Sequence, residues 1–241
     1  MTSLTAVLGL GSRELVAIVG GGGKSTLLFG LGNELAAAGR RVVLTTTTKM
    51  GRYQITDLSN VCWSADTECV LDALNTPGPV MLLTDGDDHK VTGPPPDTVG
   101  RLFAAPAVDY VVVEADGSHG RPLKAPASHE PVVPSATTTV VILMGMDAVG
   151  TRLDEAIHRV EVAVRFTGLA PDHILTPGDC ATILTHPQGA LRVCPPNSRV
   201  VVGLTKVNSA ADIHAAEEIA DRIASIPRIA AVVTIDAVPE H

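Results

Sequence analysis

The sequence predicts an α/β fold built on a doubly wound, mostly parallel sheet with helices on both faces, carried by a single domain over residues 1–241. Two observations carry that prediction. β-favouring apolar runs alternate with helical patterns along nearly the whole chain, the order that yields a parallel sheet with crossover helices. The composition is 45% apolar but only 2% aromatic, so the core must be aliphatic, as in strands covered on both faces.

The elements follow in order. Residues 15–19 form an apolar strand that enters the tract Gly20-Gly21-Gly22-Gly23. Leu28, Leu31, Leu35 and Ala38 then fall at helical spacing, with Gly39 placed as a stop. Residues 41–44 make the next strand, ending in Thr45-Thr46-Thr47-Thr48-Lys49, which completes a β-α-β unit. A strand is expected at 60–63, a helix at 66–74 and a strand at 80–83. Asp85-Gly86 is expected to turn the chain into a polar return strand through Lys90 and Val91, as a small hairpin insertion. A helix over 97–103 leads to the clearest central strand, 109–113, with Glu114-Ala115-Asp116-Gly117 at its carboxyl end. Residues 118–135 form a proline-punctuated loop, long enough to suggest function. The sheet resumes at 140–144, followed by helices at 153–166 and 179–184 and a strand at 200–204. Ser209 and Asp212 give a capping pattern for a helix with Ile213, Ala216, Ala220 and Ile223 on one face, and a last strand covers 230–235.

The balance of 18 Lys and Arg against 26 Asp and Glu leaves a net charge of −8. Phosphate-backbone binding as the main task is therefore excluded, and the few rings exclude a stacking platform for single strands. No nucleic-acid partner is expected. No run approaches the ~18 consecutive apolar residues of a membrane span, and Arg13 and Glu14 interrupt the first apolar stretch, so neither a span nor a signal peptide is predicted. Cys62, Cys69, Cys180 and Cys194 show no zinc-type spacing and are expected as free thiols in a reducing cytoplasm.

Residues 20–26 read G-G-G-G-K-S-T between a strand and a helix. Consecutive glycines let backbone N–H groups turn toward a phosphate, and the helix start adds its positive end, so this is a P-loop. Gly20, Gly21, Gly22, Gly23, Lys24, Ser25 and Thr26 are the predicted nucleotide contacts. Lys24 reaches the β- and γ-phosphates as a catalytic group, and Ser25 helps hold Mg²⁺. Ile18 stands where the strict motif has glycine, so the loop is closer to the shortened G-G-x-G-K-[ST]-T form of metallochaperone and septum-site P-loop proteins. Val19 replaces the extra lysine such loops often carry.

A P-loop enzyme needs a carboxylate on a neighbouring strand end. Glu114-Ala115-Asp116-Gly117 resembles the D-x-x-G element of GTPases with Glu first, as in nickel-enzyme maturation GTPases. Glu114 would support the magnesium shell, and Asp116 would ligate the ion or act as a base. Thr47, Thr48, Lys49 and Arg52, together with Arg121, Lys124, His129 and Glu130 of the long loop, are candidate contacts for a small anionic substrate. Thr205-Lys206-Val207-Asn208 resembles the guanine-reading [NT]-K-x-D element, and Lys206 and Asn208 are candidate base contacts. Asn offers one acceptor oxygen where Asp offers two, which weakens guanine selectivity and slightly favours ATP over GTP.

The combination of V-G-G-G-G-K-S-T at 19–26, L-T-T-T-T-K-M at 44–50, E-A-D-G-S at 114–118, G-R-P-L-K-A-P at 120–126 and H-E-P at 129–131 resembles the YqeC-type selenium cofactor biosynthesis proteins, also called selenium-dependent hydroxylase accessory proteins. The resemblance implies a P-loop NTPase fold and a Mg²⁺-dependent NTPase or phosphotransferase. It also implies a role in maturing a selenium-dependent molybdenum hydroxylase, with that enzyme or its maturation factors as partners. The residues leave three other readings open: a kinase for an anionic metabolite outside selenium metabolism, a slow nucleotide-gated cofactor chaperone, and a non-binding remnant of the fold. Oligomeric state is open as well. Five basic residues, Lys24, Lys49, Arg121, Lys124 and Lys206, fall at or just after predicted strand ends, so one positive sheet edge is expected on an acidic protein.

Overall fold

Alternation along the central strand sets up the layers. In Glu14–Gly20 (β1), Leu15, Ala17 and Val19 face one side of the sheet and Val16 and Ile18 the other, and all five are fully buried. A strand with water on neither face requires helices on both. The computed structural model, which describes residues 3–64 and 66–235, supplies them.

In chain order, a short helix Leu4–Val7 (α1) precedes β1, and the helix Lys24–Ala37 (α2) follows it. Next come Val42–Thr46 (β2), Lys49–Gly51 (β3), a 3₁₀ turn at Arg52–Ile55, Val61–Cys62 (β4), Thr67–Ala73 (α3) and Val80–Leu82 (β5). Asp85–Gly86 (β6), Lys90–Thr92 (β7), Pro96–Ala104 (α4), Tyr110–Glu114 (β8) and Leu123–Lys124 (β9) lead to Thr139–Gly145 (β10). The remainder is Leu153–Ala156 (α5), Ile157–His158 (β11), Val160–Thr167 (α6), Pro177–Thr185 (α7), Arg199–Thr205 (β12), Ala210–Ile223 (α8) and Ala231–Ile235 (β13).

Eight strands form one sheet in the order β13-β12-β10-β1-β8-β2-β5-β4, and every neighbouring pair is parallel. β1 lies inside the sheet, between β8 and β10. All the carboxyl ends therefore open on one edge, which gathers Gly20, Thr46, Glu114, Gly145 and Thr205. One core holds Leu15, Ala17 and Val19 against α4, α7 and α8, and the other holds Val16 and Ile18 against Leu27, Leu28 and Leu31 of α2. A separate three-stranded antiparallel sheet, β3-β7-β6, stands beside that edge. Among the described residues, no helix is long and apolar enough to cross a membrane.

Three local expectations need correction. Asp85-Gly86 is not the hairpin turn but strand β6. The chain reverses at 87–89, where the Asp87 carboxylate accepts from the His89 and Lys90 amides at 2.8 and 2.7 Å. The helix expected over 153–166 is broken: Ile157 and His158 pair with Leu123 and Lys124, and Arg159 adopts a left-handed φ of 71° before α6 begins. That pairing also places a strand inside the loop expected over 118–135. Sheet pairing overrode the local helical pattern at that point.

Candidate nucleotide site

β1 delivers the glycine tract to the open edge, and the loop can take its path only because it lacks side chains. Gly20 and Gly22 have φ values of 97° and 77°, and a Cβ on Gly22 would lie 2.2 Å from the Gly145 amide nitrogen. Backbone and side-chain bonds fix the first half of the loop. The Gly21 N–H donates to Leu143 O at 3.0 Å, the Gly22 N–H to Arg121 O at 3.2 Å, and the Thr205 hydroxyl to Gly22 O at 2.5 Å. The second half is left open. Among the described residues, the N–H groups of Gly23, Lys24, Ser25 and Thr26 meet no protein acceptor. They sit at the start of the 14-residue helix α2, where the helix dipole also favours an anion.

Two buried carboxylates from the end of β8 organise the reactive side chains. The Ser25 hydroxyl donates to Glu114 Oε2 at 2.8 Å and accepts from Gln54 Nε2 at 2.8 Å. Both Asp116 oxygens accept from the Gly20 N–H at 3.1 Å. Lys24 Nζ donates to Gly20 O at 2.8 Å and lies 3.5 Å from Asp116 Oδ1. Burial pushes the carboxyl pKa of both Glu114 and Asp116 up, opposed by the charge of Lys24 on each.

The proline-rich loop is drawn into this cluster through Lys124. Its buried ammonium lies 3.3 Å from Asp116 Oδ2, contacts Glu130 Oε2 at 2.7 Å and donates to Gly117 O at 2.6 Å. Arg159 grips the Glu130 carboxylate with two hydrogen bonds of 3.1 and 2.6 Å. Burial alone would raise the Glu130 pKa, but the Arg159 and Lys124 hydrogen bonds and charges lower it to about 2. Arg192 donates to the carbonyls of Ala127, Ser128 and Glu130 and holds the loop from the other side. The His158 ring stacks on His119 with centroids 4.6 Å apart. Burial, then the nearby Lys124 and His119 charges, lower its pKa to about 4. Lys24, Lys124 and Arg159 thus balance Glu114, Asp116 and Glu130, three cations against three carboxylates.

The remaining sequence candidates lie around this centre. The Thr46 hydroxyl donates to Glu114 O at 2.9 Å and that of Thr47 to Val132 O at 2.7 Å, while the Thr48 N–H donates to Thr46 Oγ1. Lys49 is exposed at the start of β3. Arg52 bonds Asp87 O and places its guanidinium 5.2 Å from the Trp63 ring centroid. Arg121 bonds Glu155 O, and His129 is exposed with Nε2 3.7 Å from Glu130. At the end of β12, Lys206 has a left-handed φ of 57° and pairs with Asp147 at 2.6 Å, and the Asn208 N–H donates to Asp212.

Sequence reasoning missed Gln54 and Arg159. Gln54 lies 29 residues from its partner Ser25 in a turn without a motif, and Arg159 falls inside an apparently continuous helical pattern. All four cysteines are free thiols. Burial pushes Cys180 up to about 12 and Cys194 up to about 11, which leaves both unreactive. Among the described residues, no cluster of three or more His, Cys, Asp or Glu is placed to hold a metal ion.

A strand, an inward-turned glycine loop, Lys-Ser-Thr at a helix start and buried carboxylates on the adjacent strand end together form the candidate nucleotide site that the sequence predicts. Among solved structures, the hydrogenase maturation factor HypB from Archaeoglobus fulgidus aligns over 96% of this chain and 85% of its own, with a TM-score of 0.42 and 16% sequence identity. The "Uncharacterized protein YqeC" of Escherichia coli strain K12 is 36% identical over 202 residues, covering 81% of this chain and 78% of that protein. The family described as "YqeC protein" matches residues 16–161, a span that includes the P-loop, both buried carboxylates, Lys124, Glu130 and Arg159, and the chain belongs to that family.

Proposed function

We propose that this protein is a Mg²⁺-dependent P-loop NTPase or phosphotransferase that assists maturation of a selenium-dependent molybdenum hydroxylase. The observation that carries the nucleotide reading is the row of N–H groups from Gly23 to Thr26, which have no protein acceptor among the described residues and lie at a helix start beside Lys24. The hard oxygen donors beside that row suit magnesium, with Ser25 and Asp116 as candidate ligands and Glu114 supporting Ser25. The ion would neutralise charge developing between the β- and γ-phosphates. Lys24 would leave Gly20 O and Asp116 for a phosphate oxygen, and Lys124 would then remain as the partner of Asp116. Arg121, His129 and Lys49 are the candidate contacts for an anionic substrate. The single acceptor of Asn208 favours ATP slightly over GTP. The maturation role rests on the resemblance of the motif set.

One observation favours a slow nucleotide-gated chaperone as the second reading. Asp116 is only 2% exposed and already holds the Gly20 N–H and two lysines, so it does not stand ready as an unengaged base to activate water. A thermal-shift panel of ATP, GTP and CTP with Mg²⁺ tests the nucleotide reading. A ligand at about 100 times its Kd adds ~2.7 kcal/mol of stability. The expected result is stabilisation by ATP that disappears in Lys24→Ala while the fold persists. Absence of any nucleotide response in the native protein overturns it. Hydrolysis stimulated by the target hydroxylase would select the chaperone, and rapid turnover with a small acceptor alone would select the phosphotransferase.

A further inference from the structure

A serine hydroxyl has one hydrogen and two lone pairs, and a free rotor points them anywhere. At Ser25 the rotor is fixed. Its hydrogen is committed to Glu114 Oε2 at 2.8 Å, and one lone pair accepts from Gln54 Nε2 at 2.8 Å. One lone pair remains. The Gln54 amide is itself oriented, because its Oε1 accepts from the Gly51 N–H at 3.1 Å, which leaves the NH₂ group for Ser25. Gln54 lies on the 3₁₀ turn Arg52–Ile55, anchored by the buried Ile55 and continuous with β3 of the three-stranded sheet.

We propose that Gln54 is a positioning residue for the metal-binding oxygen of Ser25, and that it couples the metal state of the phosphate loop to the β3-β7-β6 sheet. The inference rests on the nucleotide reading and adds a specific role to it. With Glu114 taking the hydrogen and Gln54 one lone pair, the other lone pair is preset for a single hard cation. Loss of the Gln54 donor would leave Glu114 alone to hold the hydroxyl and both lone pairs open, so metal affinity would fall while metal-free nucleotide affinity would not. In the reverse direction, a cation drawing on the Ser25 oxygen weakens it as an acceptor for Gln54. Through Gly51 that change reaches the strand carrying Lys49, one of the candidate substrate contacts.

The test titrates Mg²⁺ into the full-length protein with N-methylanthraniloyl ATP, and separately with the GTP analogue, following nucleotide fluorescence. Gln54→Met keeps the side chain's length and removes both its donor and its acceptor. Outer partners of metal ligands typically contribute at least ~10-fold in metal affinity. The variant is therefore expected to need ~10-fold more Mg²⁺ for half-saturation, with unchanged nucleotide affinity in EDTA. Hydrogen exchange at 49–55 is expected to respond to Mg²⁺ in the native protein and not in the variant. An unchanged Mg²⁺ midpoint, or an equal loss of nucleotide affinity with and without Mg²⁺, overturns the proposal and makes Gln54 a structural turn residue. If Gln54→Met fails to fold, Gln54→Ala carries the same two outcomes. A native protein that binds neither nucleotide at any Mg²⁺ concentration would instead overturn the nucleotide reading itself.

Discussion

Gly22 shows how little latitude the phosphate loop has. Its φ of 77° and the 2.2 Å that would separate a Cβ from the Gly145 nitrogen are independent obstacles to any side chain. Gly22→Ala is expected to cost ~1–3 kcal/mol from backbone strain alone, before the clash is added, and to abolish the ATP-dependent thermal shift. Glu130 gives a complementary prediction. Its removal leaves Lys124 and Arg159 facing each other with one carboxylate fewer, and Lys124 is almost fully buried. Glu130→Ala should lower stability by about 3 kcal/mol in urea titrations, the usual result of breaking a buried ion pair from one side. At this scale the phosphate loop is legible in the sequence because a rare string of residues specifies one geometry. Lys124 and Glu130 are legible as candidates, but not the second partner of the Glu130 carboxylate, Arg159, which follows a strand pairing with a segment distant in sequence.

Among the elements, α8 can be read directly from its cap. Ser209 accepts from the Asp212 N–H at 3.1 Å, and the Asp212 carboxylate accepts in return from the Ser209 hydroxyl and the Asn208 N–H. Ser209→Ala should therefore destabilise by ~1 kcal/mol, measurable as a lower urea midpoint with an unchanged slope. The region 153–166 misleads for a physical reason. Its apolar spacing suits a helix, yet Ile157 and His158 gain backbone partners in Leu123 and Lys124 that no periodicity records. The same pairing is what carries His158 next to Lys124. Local pattern thus predicts the strands of the main sheet and fails where a two-residue strand is decided by a distant partner.

For the whole molecule, acid sensitivity follows from groups around the site. His158 titrates near 6.5 when unfolded and at about 4 when folded, so between those values the unfolded chain holds the extra proton and stability falls as pH drops. Glu130 adds a second loss from its unfolded value of 4.5 down to about 2, as its carboxylate is protonated and releases Arg159 and Lys124. Urea midpoints measured from neutral pH downward should decline first through the histidine window, and His158→Gln should flatten that first decline while leaving the second.

The place of β1 inside the sheet has a kinetic consequence. The loop's Gly20 N–H finds its carboxylate 96 residues downstream, and the Leu15 N–H donates to Thr138, 123 residues on. The Gly21 N–H donates to Leu143 O in β10, which lies beyond Thr138. A chain still being synthesised cannot shape its phosphate loop until Leu143 has emerged, although the loop's own residues are made well before it. Such high contact order slows folding, and it makes a correctly formed loop a late event that reports on completion of the central sheet.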